Sequence, residues 1–118
     1  MIAYTTISSD TGLVEISATL LYYGGEFKYA QPAIHFYDET EHELGYLDVS
    51  IQEFIDHLYH DRWALIADML AVEIDYGVTA KMVRLLKSDI LELWQAAIEL
   101  GMVGTKKHAY GWIHSKTS

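Results

Sequence analysis

Leu13-Val14-Glu15-Ile16-Ser17-Ala18-Thr19-Leu20-Leu21-Tyr22-Tyr23-Gly24-Gly25-Glu26-Phe27-Lys28-Tyr29 is the stretch that decides the fold. Val14, Ile16, Ala18, Leu20 and Tyr22 alternate with Glu15, Ser17 and Thr19, and a period of two makes one apolar and one polar face only in an extended strand. Gly24-Gly25 supplies the positive φ of a tight hairpin, after which Glu26-Phe27-Lys28-Tyr29 resumes the alternation. Upstream, residues 2–7 are a short Tyr/Thr/Ile strand ended by the turn-rich Ser8-Ser9-Asp10-Thr11-Gly12. Downstream, Pro32 lacks a ladder donor and marks an edge or a connection. Residues 33–37 and 44–49 are then two further strands around the polar loop at 38–43. The first half, residues 1–49, is expected to be an antiparallel meander of four or five strands.

The periodicity changes at Ser50-Ile51-Gln52-Glu53, a capping-box pattern in which hydroxyl and carboxylate each satisfy a free backbone donor at a helix start. Ile51, Phe54, Ile55, Leu58, Leu65, Met69 and Val72 form one stripe, interrupted by Asp61-Arg62, where a bend or break is expected. Residues 63–74 are apolar almost all round, which predicts burial on more than one side. Gly77 closes this helix and Thr79 caps the next. In residues 80–100, Val83, Leu86, Ile90, Leu93, Ala97 and Leu100 recur at 3-4-3-4-3 spacing, and Gly101 is placed as a C-cap. A short connection makes the helices an antiparallel hairpin. The expected fold class is α+β: one domain over 1–118, a two-layer sandwich in which the helical hairpin (50–100) covers the apolar face of the meander. In the tail, 101–118, Lys106, His108, Tyr110, Trp112 and His114 at period two predict an extra strand.

The charge is lopsided. The chain carries −9 formally, with no Cys and one Pro among 118 residues. Residues 1–75 hold 14 acids and 2 bases, whereas residues 76–118 hold 3 acids and 6 bases. The first part repels nucleic acid and anionic membrane and attracts basic protein surfaces. Asp38, Glu39, Glu41, Glu43, Asp48, Glu53 and Asp56 fall within 19 residues that contain no Lys or Arg, and they are the candidate partner-binding set. Without cysteine there is no disulfide framework, thiolate zinc site or thiol catalysis. The start has no basic and apolar signal pattern, and no run of about 18 apolar residues occurs, because Asp68, Glu73 and Asp75 interrupt the longest. A cytoplasmic location and no membrane span are expected.

Catalytic signatures are sparse. Glu53, His57 and His60, at i, i+4 and i+7 with Asp56 and Asp61 beside them, share a helical face where a transition metal would find nitrogen and oxygen ligands. Neither HExxH nor paired ExxH accompanies them, so they are weak metal candidates, and a pH-sensitive salt-bridge cluster explains the same pattern. His35, Tyr37 and Glu15 are expected on the polar face of the sheet, where a His and a carboxylate do acid–base work if a pocket surrounds them. There is no GxSxG, GxGxxG or GxxxxGK[ST] motif, so no catalytic site and no cofactor are assigned. Lys106-Lys107-His108-Ala109-Tyr110-Gly111-Trp112 mixes bases with aromatics as single-strand binders do, but the acidic half opposes direct nucleic-acid contact. Leu91, Trp94 and Ile98 lie off the main stripe and form a candidate dimer or partner face.

These features describe a non-enzymatic acidic protein-binding module that docks on or blocks a basic partner such as a nucleic-acid-handling enzyme. Its most specific form is a nucleic-acid mimic of the anti-restriction or anti-CRISPR type, encoded by a phage or mobile element, since carboxylates along a hairpin and helix approach the charge density of DNA. Two alternatives are an immunity or antitoxin-like inhibitor, and a small metal- or ligand-binding enzyme built on His57 and His60 or on His35. No motif identifies a family.

Overall fold

A computed structural model of the chain describes residues 2–24, 26–74 and 77–102. Strands β1 (Ile2–Ser8), β2 (Val14–Tyr23), β3 (Glu26–Tyr37) and β4 (Glu43–Leu47) precede helices α1 (Ile51–Tyr59), α2 (Trp63–Glu73), α3 (Ala80–Leu85) and α4 (Lys87–Glu99). The strands form one antiparallel sheet in the order β1-β2-β3-β4. The α+β class expected from the sequence is therefore observed. The tail expected to add a strand, with Lys106 and Lys107, lies outside the described residues. No described helix is long and apolar enough to cross a membrane.

Register is set by a bulge. The hairpin begins with Tyr23 opposite Glu26 and Tyr22 opposite Phe27, and then shifts by one so that Leu21 faces Tyr29. Continued without the shift, the first pairing would place Val14 opposite His35, an apolar residue against a polar one. With it, Val14 faces Phe36 and Ile16 faces Ile34. One inserted residue thus collects the apolar side chains on a single face. Pro32, expected at an edge or connection, stands within the 12-residue β3, at a position that is an edge of the sheet. β4 reaches back only to Ile34, so at Pro32 the strand has a neighbour on one side alone, and a residue without an N–H is tolerated there.

The core joins Val14, Ile16, Ala18, Ile34, Phe36 and Leu47 of the sheet to Phe54, Leu58, Ile66, Val83, Ile90 and Ala97 of the helices, all at or near complete burial. Phe36 and Phe54 meet edge to face, with ring centroids 6.3 Å apart. Each large apolar side chain contributes about 1.5–3 kcal/mol by leaving water, and an aromatic pair adds about 0.5–1.5 kcal/mol.

The first helix breaks at His60–Arg62, the position expected to bend or break, where Asp61 has φ 52°. Other local expectations change. The break rephases the following turn, so α2 buries Ile66 and Leu70, while Leu65 and Val72, placed on the stripe from sequence, face outward, Val72 at 80% exposure. Residues 63–74 are therefore buried on one side, not several. Ser50 precedes α1, but its side chain makes no capping bond and donates to Glu73 Oε1 instead. The second helix is stepped at Leu86, which ends α3 and opens α4. Trp94 is only 4% exposed and belongs to the core, and Leu91 and Ile98 pack partly against it, so the trio is not a continuous outer face. Thr79 and Gly101 cap as expected, whereas α2 ends at Glu73 with Ile74 as its C-cap, before the Gly77 expected to close it. Thr79 Oγ1 accepts from the Met82 N–H at 3.2 Å. Gly101 (φ 75°) sits in a Schellman arrangement, with Met102 N–H donating to Ala97 O and Gly101 N–H to Ile98 O.

Gly45 faces the core, and a Cβ there would overlap Ile74 Cγ2. Gly45→Ala is expected to destabilise the protein by about 1–3 kcal/mol through overpacking, measured as a lower urea midpoint at unchanged slope. The double variant Gly45→Ala/Ile74→Ala should destabilise less than the sum of the two single changes, because the second removes what the first collides with.

Candidate functional site

The acidic loop between β3 and β4 is built around one of its own acids. Asp38 Oδ1 accepts from the Thr40 N–H at 2.9 Å, the Thr40 hydroxyl at 2.7 Å and the His42 N–H at 3.0 Å. Asp38 N–H donates to His42 O, and Glu41 takes the left-handed conformation, φ 67°, that closes the turn. The Thr40 hydroxyl and the His42 N–H hold the Asp38 carboxyl below its ordinary value. Asp38, grouped with the docking acids from sequence, is therefore committed to shaping the loop. Glu39 and Glu41 stand exposed on it.

On the outer face of the sheet, His35 links three strands. Its Nε2 lies 2.9 Å from Ser17 Oγ on β2, and its Nδ1 lies 2.5 Å from Glu43 Oε1 on β4. With Glu43 ionised, the tautomer that satisfies both partners donates from Nδ1 and accepts the Ser17 hydroxyl at Nε2. Tyr46 and Tyr37 flank the imidazole at 5.6 and 6.5 Å, and the Tyr37 hydroxyl donates to Glu15 Oε1 at 3.2 Å. His35, Tyr37 and Glu15 thus meet as expected. Ser17 and Glu43 complete the cluster as partners that the sequence reading did not assign. Their signal was the period-two face they share with Glu15 and Tyr37, which becomes a cluster only once the bulge sets the register.

Hydroxyl, imidazole and carboxylate in this order have the connectivity of a nucleophilic triad. The surroundings do not match that chemistry. Ser17 is 5% exposed, and it lies within β2 between Thr6 on one side and Ala33 on the other. Backbone N–H groups engaged in two ladders are not available to stabilise an oxyanion. The arrangement is suited to tying β2, β3 and β4 together.

The helical candidates separate into pairs. His57 Nε2 faces Glu53 Oε1 at 3.5 Å, and His60 Nδ1 lies 2.9 Å from Asp56 O. Arg62 donates to Asp56 Oδ2 at 2.7 Å and lies 3.3 Å from His57 Nδ1. Among the described residues no three His, Asp or Glu side chains converge as a metal site, so Glu53, His57 and His60 do not gather around one point. Successive ion pairs along a helix explain their spacing. The Arg62 guanidinium holds the Asp56 carboxyl below its ordinary value. Asp56, another of the acids expected to meet a partner, is thus largely engaged within its own helix turn.

The least compensated carboxylates surround two grooves. One, of about 560 Å³, runs beside β4 and is lined by Gly45, Tyr46, Asp48, Val49, Glu73 and Ile74 among others. A second, of about 230 Å³, lies between α1 and α2 and is lined by Glu53, Asp68, Met69, Val72 and Glu73. Glu73 borders both, and among the described residues neither is lined by a Lys or Arg. Asp68 and Glu73 escaped notice in the sequence because they punctuate a run whose composition suggested burial. Two bases of the helical half are engaged elsewhere: Lys87 pairs with Asp61 at 2.7 Å, and Arg84 lies 4.7 Å over the Trp63 ring. Comparison of the chain with protein-family models, curated proteins and solved structures returns no match.

Because both shifted carboxyls are lowered in the folded state, they favour folding above the ordinary Asp value of 3.8, and this contribution is lost as pH falls through their folded values. Carboxyl-detected NMR titration should show Asp38 and Asp56 protonating below 3.8. Asp38→Asn and Arg62→Gln should each flatten the acid limb of the stability curve. Titration of both groups at or above the ordinary Asp value would contradict the hydrogen-bond assignments.

Proposed function

We propose that this chain is a non-enzymatic, acidic protein-binding module that docks on a basic surface of its partner. The observation that carries this reading is the distribution of charge around β4, α1 and α2. Glu39, Glu41, Glu53, Asp68 and Glu73 are exposed, and none of them forms an ion pair with a described Lys or Arg. Carboxylates concentrated on one region with few counter-charges raise the local anionic potential, speed encounter with a cationic surface and repel wrong partners. The grooves add apolar contact, at Val49 and Val72, to a surface that would otherwise give only solvent-screened attraction.

Charge reversal tests this. The triple variant Glu39→Lys/Glu41→Lys/Asp68→Lys avoids Asp38, Asp56, Glu43 and Glu53, which have structural partners. Affinity capture from native-cell lysate at low and high ionic strength should recover a basic partner with the wild-type chain. The variant should bind it roughly tenfold to a hundredfold more weakly, since each exposed pair contributes about 0.2–1 kcal/mol and is here replaced by repulsion. A captured nucleic-acid-handling enzyme displaced by DNA would identify the mimic form, and a captured toxin the immunity form. Capture indifferent to both salt and charge reversal, or a small metabolite bound at His35 with no protein captured, would overturn the reading.

A further inference from the structure

We infer that the outer edge of β4 is a strand-addition site for an extended peptide that alternates basic with apolar residues, and that this is how the chain engages its basic partner. The inference rests on the binding role proposed above and specifies its geometry. β4 is the last strand of the sheet, and no described residue pairs with its outer side. Every second N–H and C=O along such an edge points away from β3, a ready template for one more strand. Alongside lies the groove of about 560 Å³, so the edge is accompanied by space for an incoming backbone and its side chains.

Among the described residues no strand covers this edge. Residues 43–49 contain no Lys and no Pro, two of the devices that blunt edges. The register irregularity of β4 falls at its beginning, between the pairs Phe36–Gly45 and Tyr37–Glu43, which leaves the run from Gly45 onward regular. Val49, immediately beyond the strand, is 89% exposed, and Tyr46 is half exposed. An added strand would cover both. The charge selects the occupant: Asp48 and Glu73 line the groove, with no base among its described lining residues. Lys or Arg of an incoming strand would meet Asp48 and Glu73, and its apolar residues would cover Val49.

A second copy of this chain fits less well. Pairing β4 with β4 brings two sets of Glu43, Asp48 and Glu73 onto one interface, and like charges brought together across strands are destabilising.

The experiment uses the full chain and three synthetic peptides with blocked ends: alternating Lys-Val over about eight residues, long enough to span an average strand, the same peptide N-methylated at alternate residues, and alternating Glu-Val. N-methylation removes the donors of one strand edge and keeps the charge. The Lys-Val peptide should bind saturably, shift the amide resonances of residues 43–49 and 73–74, and slow hydrogen exchange of β4 amides. The N-methylated peptide should bind at least roughly tenfold more weakly, and the Glu-Val peptide should not bind. The variant Val49→Lys/Glu73→Lys, both at exposed positions, should reduce Lys-Val binding similarly. Equal binding of the methylated peptide, shifts confined to the 38–43 loop and α1, or concentration-dependent self-association through β4 would each overturn the edge assignment. If the native partner is still captured, and still lost on charge reversal, the edge assignment fails while the acidic-module reading stands. Loss of both capture and peptide binding removes both.

Discussion

The one-residue shift between Leu21 and Tyr22 is the constraint on which the other features depend. In a sheet the side-chain period is two, so a single slip moves every residue of a strand to the opposite face. Here the shift brings Ile34 and Phe36 of β3 onto the same side as Val14 and Ile16 of β2, and the helices cover that side. The same step puts Ser17, Glu15, His35 and Tyr37 together on the other side. Core and polar cluster are two results of one bulge. β4 then inherits its orientation from β3 through the pairing of Ile34 with Leu47 and His35 with Tyr46. Gly45 meets Ile74 on the inside and Tyr46 meets His35 on the outside.

Electrostatics acts on this frame through scarcity. Three bases of the helical half are used close to the helix junctions: Arg62 on Asp56, Lys87 on Asp61, and Arg84 over Trp63. They steady the turns between α1, α2, α3 and α4. Two unit charges about 4 Å apart interact with about 1 kcal/mol in water and about 4 kcal/mol at the effective dielectric of a protein surface, so these contacts are local. The carboxylates along the grooves lie outside them. Their mutual repulsion costs the free protein some stability, and that cost is relieved when a cation arrives. On the proposed binding role, the charge pattern would favour the bound state.

The sheet and the α4 stripe were legible because they follow strict periods. Val83, Leu86, Ile90, Leu93 and Ala97 are buried where 3-4 spacing placed them, whereas Leu100, the last of that series, is exposed at the helix end, and Thr79 and Gly101 cap as their chemistry dictates. The failures occurred where a local device changed the phase. Asp61 at positive φ turns α2 relative to α1, so the stripe read through Leu65 and Val72 points outward, and Ile66 and Leu70 take its place. Ser50 offered a capping box, yet its hydroxyl reached Glu73, 23 positions away, a partner that no nearest-neighbour rule contains. Pro32 suggested an edge or a connection, and the short reach of β4 makes its position an edge. In the polar cluster, residue types were readable but partners were not, because Ser17 and Glu43 come to His35 from strands whose alignment depends on the bulge. The acids of the 38–56 run were equally visible, but which of them are internally engaged depends on Thr40, His42 and Arg62.

An edge strand must avoid uncontrolled pairing. Lysine is a common solution, since it discourages approach of most strands and keeps its charge in water. This chain instead places carboxylates at Glu43, Asp48 and Glu73 around β4, and their effect is asymmetric. In the proposed binding mode they would oppose another copy of the same edge and other acidic strands while attracting a cationic strand. Repulsion from wrong partners and attraction to the right one would then come from the same side chains, which is how specificity arises from a difference of affinities. Backbone pairing supplies contacts that do not depend on sequence, and the acids decide which sequences reach them. An acidic rim around an open edge is therefore protective and selective at once, and a neutral rim on the same backbone would be neither.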